Sequence, residues 1–289
     1  MIFSPTTFAL CTSLIILAVF SPSTFAAETS PMPVHQRINV AHRGASHLAP
    51  ENTLIAYRIA ISAGADGAEC DIYASADGVP FLSHDRTAKR TMGGEDRDVT
   101  TMRFDEIRQL DAGAWKGKQF KGEKVPTLDE FLELLQGTPC HPVIELKMEG
   151  IEQPVLDVIR KRGMIEVSTI IAFSQKVVKE IRRLESNICV AFLYSENLKG
   201  ETAEEAADRL DAFLRDRSRD LGTNVLDLNH GILSKTLVEK LNAADIHVWA
   251  WTVNDTDRMN TLLDWGVVSI TTDRPELLTE LLKKRKKGK

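Results

Sequence analysis

Glu69 and Asp71 stand two positions apart in an apolar run, Gly67 to Tyr73, that reads as a β-strand, so both carboxylates point to one face. If that face is buried, two like charges are held together out of water, which is costly unless a positive group sits between them. Glu145, in the later run ending Glu145-Leu146-Lys147, offers a third carboxylate. Oxygen ligands of this kind suit a hard divalent cation, Mg²⁺ or Ca²⁺, better than Zn²⁺, which favours His and Cys. The competing reading is a structural ion network in which Arg43 and Lys147 neutralise Glu69 and Asp71, and the E-x-D pair alone does not choose between them.

Two histidines sharpen the choice. His42 follows the first strand candidate in His42-Arg43-Gly44, and His84 heads His84-Asp85. An imidazole titrates at about 6.5 in water, so two of them on opposite sides of a reacting phosphorus can serve as base and acid. Three carboxylates set against a divalent ion, Arg43 and Lys147 leave a site of net positive charge, suited to a phosphodiester anion and to the charge that grows on its oxygens during reaction. No G-x-S-x-G elbow, P-loop or C-x-x-C pair points to other chemistry.

The elements that position these residues alternate in type. From Arg37 onward, short runs rich in Val, Ile and aromatics alternate with amphipathic stretches, the pattern of repeated βα units. Strand candidates are 38–41, 67–73, 79–83, 142–147, 168–173, 188–194, 224–228, 246–251 and 267–271. The link Ala74 to Gly78 is too short for a parallel crossover and carries the tight-turn pair Asp77-Gly78, so 79–83 must fold back antiparallel. The remaining strands predict a (β/α)8 TIM barrel in one domain, 37–282, with a β-hairpin extension after strand two. That hairpin returns His84 to the C-terminal rim, where such barrels keep their chemistry. Asn52 and Thr53 open the first helix, Thr127 precedes the second and Ser174 precedes another. The polar, Gly-rich segment 86–126 exceeds a routine loop and reads as an insertion covering part of the mouth.

Met1 to Ala27 has no charged residue and holds an apolar run from Phe8 to Phe20 too short to span a bilayer. It predicts a signal peptide, 1–26, cleaved after Ala26, although no Lys or Arg marks its start. Export to the periplasm or medium follows, with no transmembrane segment in the mature chain. Cys70, Cys140 and Cys189 then remain, read as free thiols because their number is odd and their density is low. The formal net charge of −5 includes the six basic residues at 283–289, so the rest is more acidic still and unsuited to nucleic acid. The basic tail 283–289 is expected to be solvated and disordered. Oligomeric state is not legible.

In order along the chain, His42-Arg43-Gly44, Pro50-Glu51-Asn52-Thr53, Glu69-x-Asp71, His84-Asp85, Glu145-Leu146-Lys147 and Trp251-Thr252-Val253-Asn254 resemble the signature of the glycerophosphodiester phosphodiesterases. Leu110 to Gly113, Val125 to Leu128 and Thr272 to Pro275 look like the same family's insertion and close. The resemblance implies a metal-dependent hydrolase that releases sn-glycerol 3-phosphate and an alcohol from a small glycerophosphodiester. It implies Glu69, Asp71 and Glu145 as ligands of one divalent cation, His42 as general base and His84 as general acid. Arg43 and Lys147 match phosphate contacts, Glu51 the acidic residue beside the metal, and Trp251 an aromatic on the glycerol side of the pocket. Trp249 shares the strand face of Trp251 and keeps open a core role for either. Other readings on the same framework are a lysophospholipase D or phospholipase-like activity, and an exported binding protein without catalysis.

Overall fold

The computed structural model describes Met1 and residues 38–287, so the expected signal peptide beyond Met1, together with Cys11 and His35, lies outside the described residues. The chain runs β1 (Asn39–Ala41), α1 (Leu54–Ser62), β2 (Gly67–Ala74), β3 (Pro80–Leu82), α2 (Phe104–Ile107), α3 (Leu128–Leu135), β4 (His141–Leu146), α4 (Glu152–Lys161) and β5 (Thr169–Ala172). It continues through α5 (Gln175–Leu184), β6 (Cys189–Tyr194), α6 (Ala207–Leu221), β7 (Val225–Asn229), α7 (Lys235–Ala243), β8 (His247–Trp251), α8 (Thr256–Trp265), β9 (Ser269–Thr272) and α9 (Pro275–Lys287). All strands but β3 pair in parallel, and β1 closes the ring by pairing with both β2 and β9. This is the expected (β/α)8 barrel.

β3 pairs antiparallel with β2, Tyr73 opposite Phe81. The turn between them is tied by Ser75 N–H to Val79 O at 3.1 Å and by the Ser75 hydroxyl to Asp77 Oδ1 at 2.7 Å, with Gly78 at φ 80°. A side chain is disfavoured at such a φ, so glycine belongs there. Ser83 N–H then donates to Asp71 O at 3.0 Å, which delivers His84 beside the carboxylate strand.

Helix starts follow local chemistry. Thr127 and Glu130 form a reciprocal capping box on α3, and the Ser174 hydroxyl accepts from Val177 N–H on α5. Thr53 precedes α1, but its hydroxyl donates to Pro50 O at 2.6 Å and caps nothing, bracing the loop that enters the helix. Apolar residues form a layer between strands and helices and a second, smaller set inside the barrel that includes Val40, Val143, Ile171, Leu193 and Trp249. The insertion holds its own cluster, with Tyr73, Phe81, Met92, Val99, Ile107 and Val125 packed together under the hairpin. It also contains the short helix α2, which the polar reading of 86–126 did not show.

The C-terminal expectation needs correction. Lys283 to Lys287 complete helix α9 instead of forming a disordered tail, and residues 288–289 lie outside the described residues. Leu278, Leu281 and Leu282 pack on the core, Arg285 Nη2 reaches Asp264 Oδ1 at 2.7 Å, and basic side chains at a helix C-terminus complement its dipole. Among the described residues Cys70, Cys140 and Cys189 form no disulfide; the first two are buried and the third is half-buried. Among the described residues no helix is long and apolar enough to cross a membrane.

Candidate active site

Strand periodicity turns Glu69 and Asp71 into the lumen, where both are buried, and the β2–β4 register sets Glu145 directly beside Asp71. One ligand oxygen from each of the three lies within 4.8 Å of the others. Asp71 Oδ2 accepts from Asn52 Nδ2 at 2.8 Å, while Asn52 Oδ1 receives the Tyr57 hydroxyl at 2.9 Å, so the site is braced from α1. Asp71 Oδ1 is buried and makes no hydrogen bond, with only the Lys147 ammonium at 3.3 Å set against it, so it retains lone-pair capacity for a metal ion.

Cations already crowd this cluster. Lys147 Nζ lies 2.8 Å from Glu145 and 3.3 Å from Asp71, and Arg43 Nε lies 3.1 Å from Asp71 Oδ2. Arg43 N–H donates to Glu69 Oε2 at 2.8 Å from a backbone at φ 55°. The next residue, Gly44, has φ 81°, and a Cβ there would meet the Ala56 backbone at 2.7 Å, so only glycine lets this loop rest on α1. Glu51 sits apart from the three-carboxylate cluster: Oε1 receives both Arg43 Nη1 and Arg90 Nη2, and Oε2 receives Arg90 Nη1, each at 2.8 Å.

The imidazoles are each held at Nδ1. His42 Nδ1–H donates to Asp273 Oδ1 at 2.7 Å, and His84 Nδ1–H donates to Asp85 Oδ1 at 2.8 Å. A carboxylate can only accept, so this contact places a proton on Nδ1 and leaves Nε2 as the other ring nitrogen for proton exchange. Asp273 is fixed in turn by the Ser46 hydroxyl at 2.8 Å and Asn254 Nδ2 at 2.6 Å. The Trp251 to Asn254 motif therefore contributes Asn254 as a brace for the carboxylate that holds His42, a contact its sequence did not disclose.

Electrostatics divide the groups. Burial raises Glu69 well above the carboxylate range, and repulsion from Asp71 and Glu145 adds to it. Burial also pushes Glu145 up to about 7, with Asp71 adding and Lys147 opposing. For Asp71 burial acts in the same sense, but Arg43, Lys147 and both imidazoles outweigh it and keep it ionised. Burial works to lower Lys147, but the salt partners Asp71 and Glu145 outweigh it and push it up to about 12. Burial lowers His84, opposed by Asp71. Burial works to raise Asp273, but its bond to His42 prevails and the acid sits well below its ordinary value.

Trp251 stands at the rim end of β8, its Nε1 donating to Asp227 O at 3.0 Å and its ring edge-to-face with Phe173 at 5.6 Å. Phe173 follows β5 at the same rim and is 47% exposed. Trp249, one layer deeper, is fully buried in the barrel interior, so the two tryptophans separate into a core residue and a mouth residue. Asp273, Asp85, Asn254 and Arg90 are site residues to which the sequence reading assigned no individual role, and Asn52, read there as a helix start, holds Asp71.

The model of the glycerophosphoryl diester phosphodiesterase family matches residues 42–277, a span that takes in every residue of this site. The chain belongs to that family. Like its members it is a phosphoric diester hydrolase. It is 31% identical over 252 residues to a glycerophosphodiester phosphodiesterase of Caldanaerobacter subterraneus, covering 85% of this chain and 97% of that one. It is 30% identical over 272 residues to human glycerophosphodiester phosphodiesterase 1, covering 84% and 80%. Among solved structures, an Oleispira antarctica phosphodiesterase in complex with the product sn-glycerol-3-phosphate superimposes with a TM-score of 0.76 at 26% identity, covering 84% of this chain and 96% of that one.

Proposed function

We propose that the enzyme hydrolyses glycerophosphodiesters to sn-glycerol 3-phosphate and an alcohol, with one divalent cation, Mg²⁺ or Ca²⁺, held by Glu69, Asp71 and Glu145. The observation that carries this is the convergence of three lumenal carboxylates beside two imidazoles whose Nδ1 atoms are both anchored. Both imidazoles are near enough to Asp71 to stabilise its charge. Bound among the carboxylates, a divalent cation supplies positive charge against the negative charge that builds on the phosphoryl oxygens.

His42 Nε2 takes the proton of the attacking hydroxyl, in this reading the glycerol 2-hydroxyl, and the imidazolium that forms is stabilised by Asp273. The attacking oxygen bonds to phosphorus as the bond to the departing alcohol breaks with its electron pair on the alcohol oxygen, and His84, which enters the step as an imidazolium with Nδ1–H on Asp85, delivers its Nε2 proton there. Water then opens the cyclic phosphate: its oxygen bonds to phosphorus, the bond to the glycerol 2-oxygen breaks, His42 returns its proton to that oxygen, and the proton that water sheds restores His84. Arg43 and Lys147 contact the phosphoryl oxygens, and Trp251 bounds the glycerol side. Export rests on the apolar segment near Met1.

The deciding experiment is product analysis on glycerophosphocholine and lysophosphatidylcholine at defined cation concentration. Release of glycerol 3-phosphate and choline from the first supports the reading; a preference for the second would support the lysophospholipase D alternative, which the exposed Phe173 ledge beside Trp251 favours.

Proton–cation competition gives a second expected outcome. Glu145 is held at about 7 in the fold against an ordinary 4.5, so the cation-free protein loses stability as pH rises through that window. A cation displaces those protons, so its benefit is small below the window and full above it. With Mg²⁺ or Ca²⁺ at roughly 100 times Kd, the gain of about 2.7 kcal/mol corresponds to a melting shift of roughly 5–10 °C at pH 8. The shift at pH 5.5 should be less than half of this. Equal shifts at both values would remove the carboxylates as the binding groups.

A further inference from the structure

The insertion contributes one side chain that reaches both halves of the site. Arg90 Nε donates to Asp85 Oδ2 at 2.5 Å and Nη2 to Asp85 Oδ1 at 3.0 Å, gripping the carboxylate that receives His84 Nδ1–H. The same guanidinium donates through Nη1 and Nη2 to the two oxygens of Glu51, which also holds Arg43. One planar group thus spans 39 residues of sequence with two forked contacts, a geometry that a lysine ammonium cannot reproduce.

The two imidazole arms are built differently. Asp273, behind His42, is fixed by a hydroxyl and an amide from the barrel's own loops. Asp85, behind His84, follows the short strand β3, and Arg90 is the cation that grips it. The Arg90 hydrogen bond is the largest influence on Asp85 and keeps it at about 2, a full carboxylate. Arg90 is 45% exposed, too wet for its ion pairs to contribute much to folding. What two bidentate contacts do well at such a place is fix direction.

Resting on the diesterase reading above, we propose that Arg90 is the positioning residue for proton delivery by His84: through Asp85 it aims the imidazole at the leaving oxygen, and through Glu51 it registers that arm against Arg43. The insertion is then a working part of the acid arm as well as a cover over the mouth.

Leaving-group dependence separates this role from a structural one. Choline departs as an alkoxide that needs a proton, whereas p-nitrophenolate departs without one, so losing an aimed acid harms only the first. Arg90→Ala should lower kcat on glycerophosphocholine by about 10- to 100-fold while changing turnover of the glycerophospho-p-nitrophenyl ester by less than about threefold. Arg90→Lys, which keeps the charge and the fold, should show the same selectivity, and millimolar guanidinium should restore part of the Arg90→Ala loss. His84→Ala, measured beside them, should show the selectivity in larger measure. Parallel loss on both esters, or no loss on either, in Arg90→Lys overturns the proposal. A wild-type enzyme inactive on both esters would instead sink the diesterase reading, and a non-selective His84→Ala would sink the assignment of the acid.

Discussion

Stripping divalent cations from the enzyme should cut release of glycerol 3-phosphate from glycerophosphocholine by about three orders of magnitude or more, and added Mg²⁺ or Ca²⁺ should restore it. A cation in such a site contributes several kcal/mol to the transition state, each 1.36 kcal/mol being about tenfold in rate. In this site the loss compounds. Without a cation, Glu69 and Glu145 are driven toward their protonated forms by burial, and Lys147 and Arg43 turn to the carboxylates, at 2.8 Å from Glu145 and 3.1 Å from Asp71. The side chains assigned to the phosphoryl oxygens are then spent on neutralising acids. Metal-free protein, verified by elemental analysis, that retains full turnover would leave Glu69, Asp71 and Glu145 with only the ion-network role that Arg43 and Lys147 allow.

The second large effect belongs to His42, the proposed base. His42→Ala should lower kcat by about 10²- to 10⁴-fold, the usual contribution of a positioned proton acceptor, with cation affinity from calorimetry unchanged because His42 is outside the carboxylate set. Asp273→Asn should follow in the same direction by about 10- to 100-fold, since an amide can present its NH₂ to Nδ1 and reverse the tautomer, putting the proton on the nitrogen that must receive one. Loss of cation binding in His42→Ala would mean that this imidazole belongs to the ligand set instead.

The rules that hold over a few residues carried the sequence reading furthest. Alternation along a strand put Glu69 and Asp71 on one face, and a five-residue link between strands could only be a turn, which sent His84 back to the rim. Thr127 marked a helix start because capping is a contact between near neighbours, and the structure adds Glu130 to complete the box. The same local view misjudged Lys283 to Lys287, because their helical state depends on leucines of the preceding turns finding the core and on Arg285 finding Asp264.

Amino-acid sequence by itself determined the barrel and the hairpin, which follow from spacing and chain length, and singled out three acids and two histidines as candidates through their order and the family resemblance. Only the tertiary structure decided which carboxylate holds which imidazole. His42 and Asp273 are 231 residues apart and meet because β1 and β9 close the ring, and Arg90 reaches Glu51 because the insertion packs against the loop that follows β1. Likewise Trp249 and Trp251 differ in depth within the barrel, a coordinate that two side chains on one strand face do not reveal until the other strands surround them. Contacts of that kind depend on closure of the whole sheet, and no local spacing encodes them.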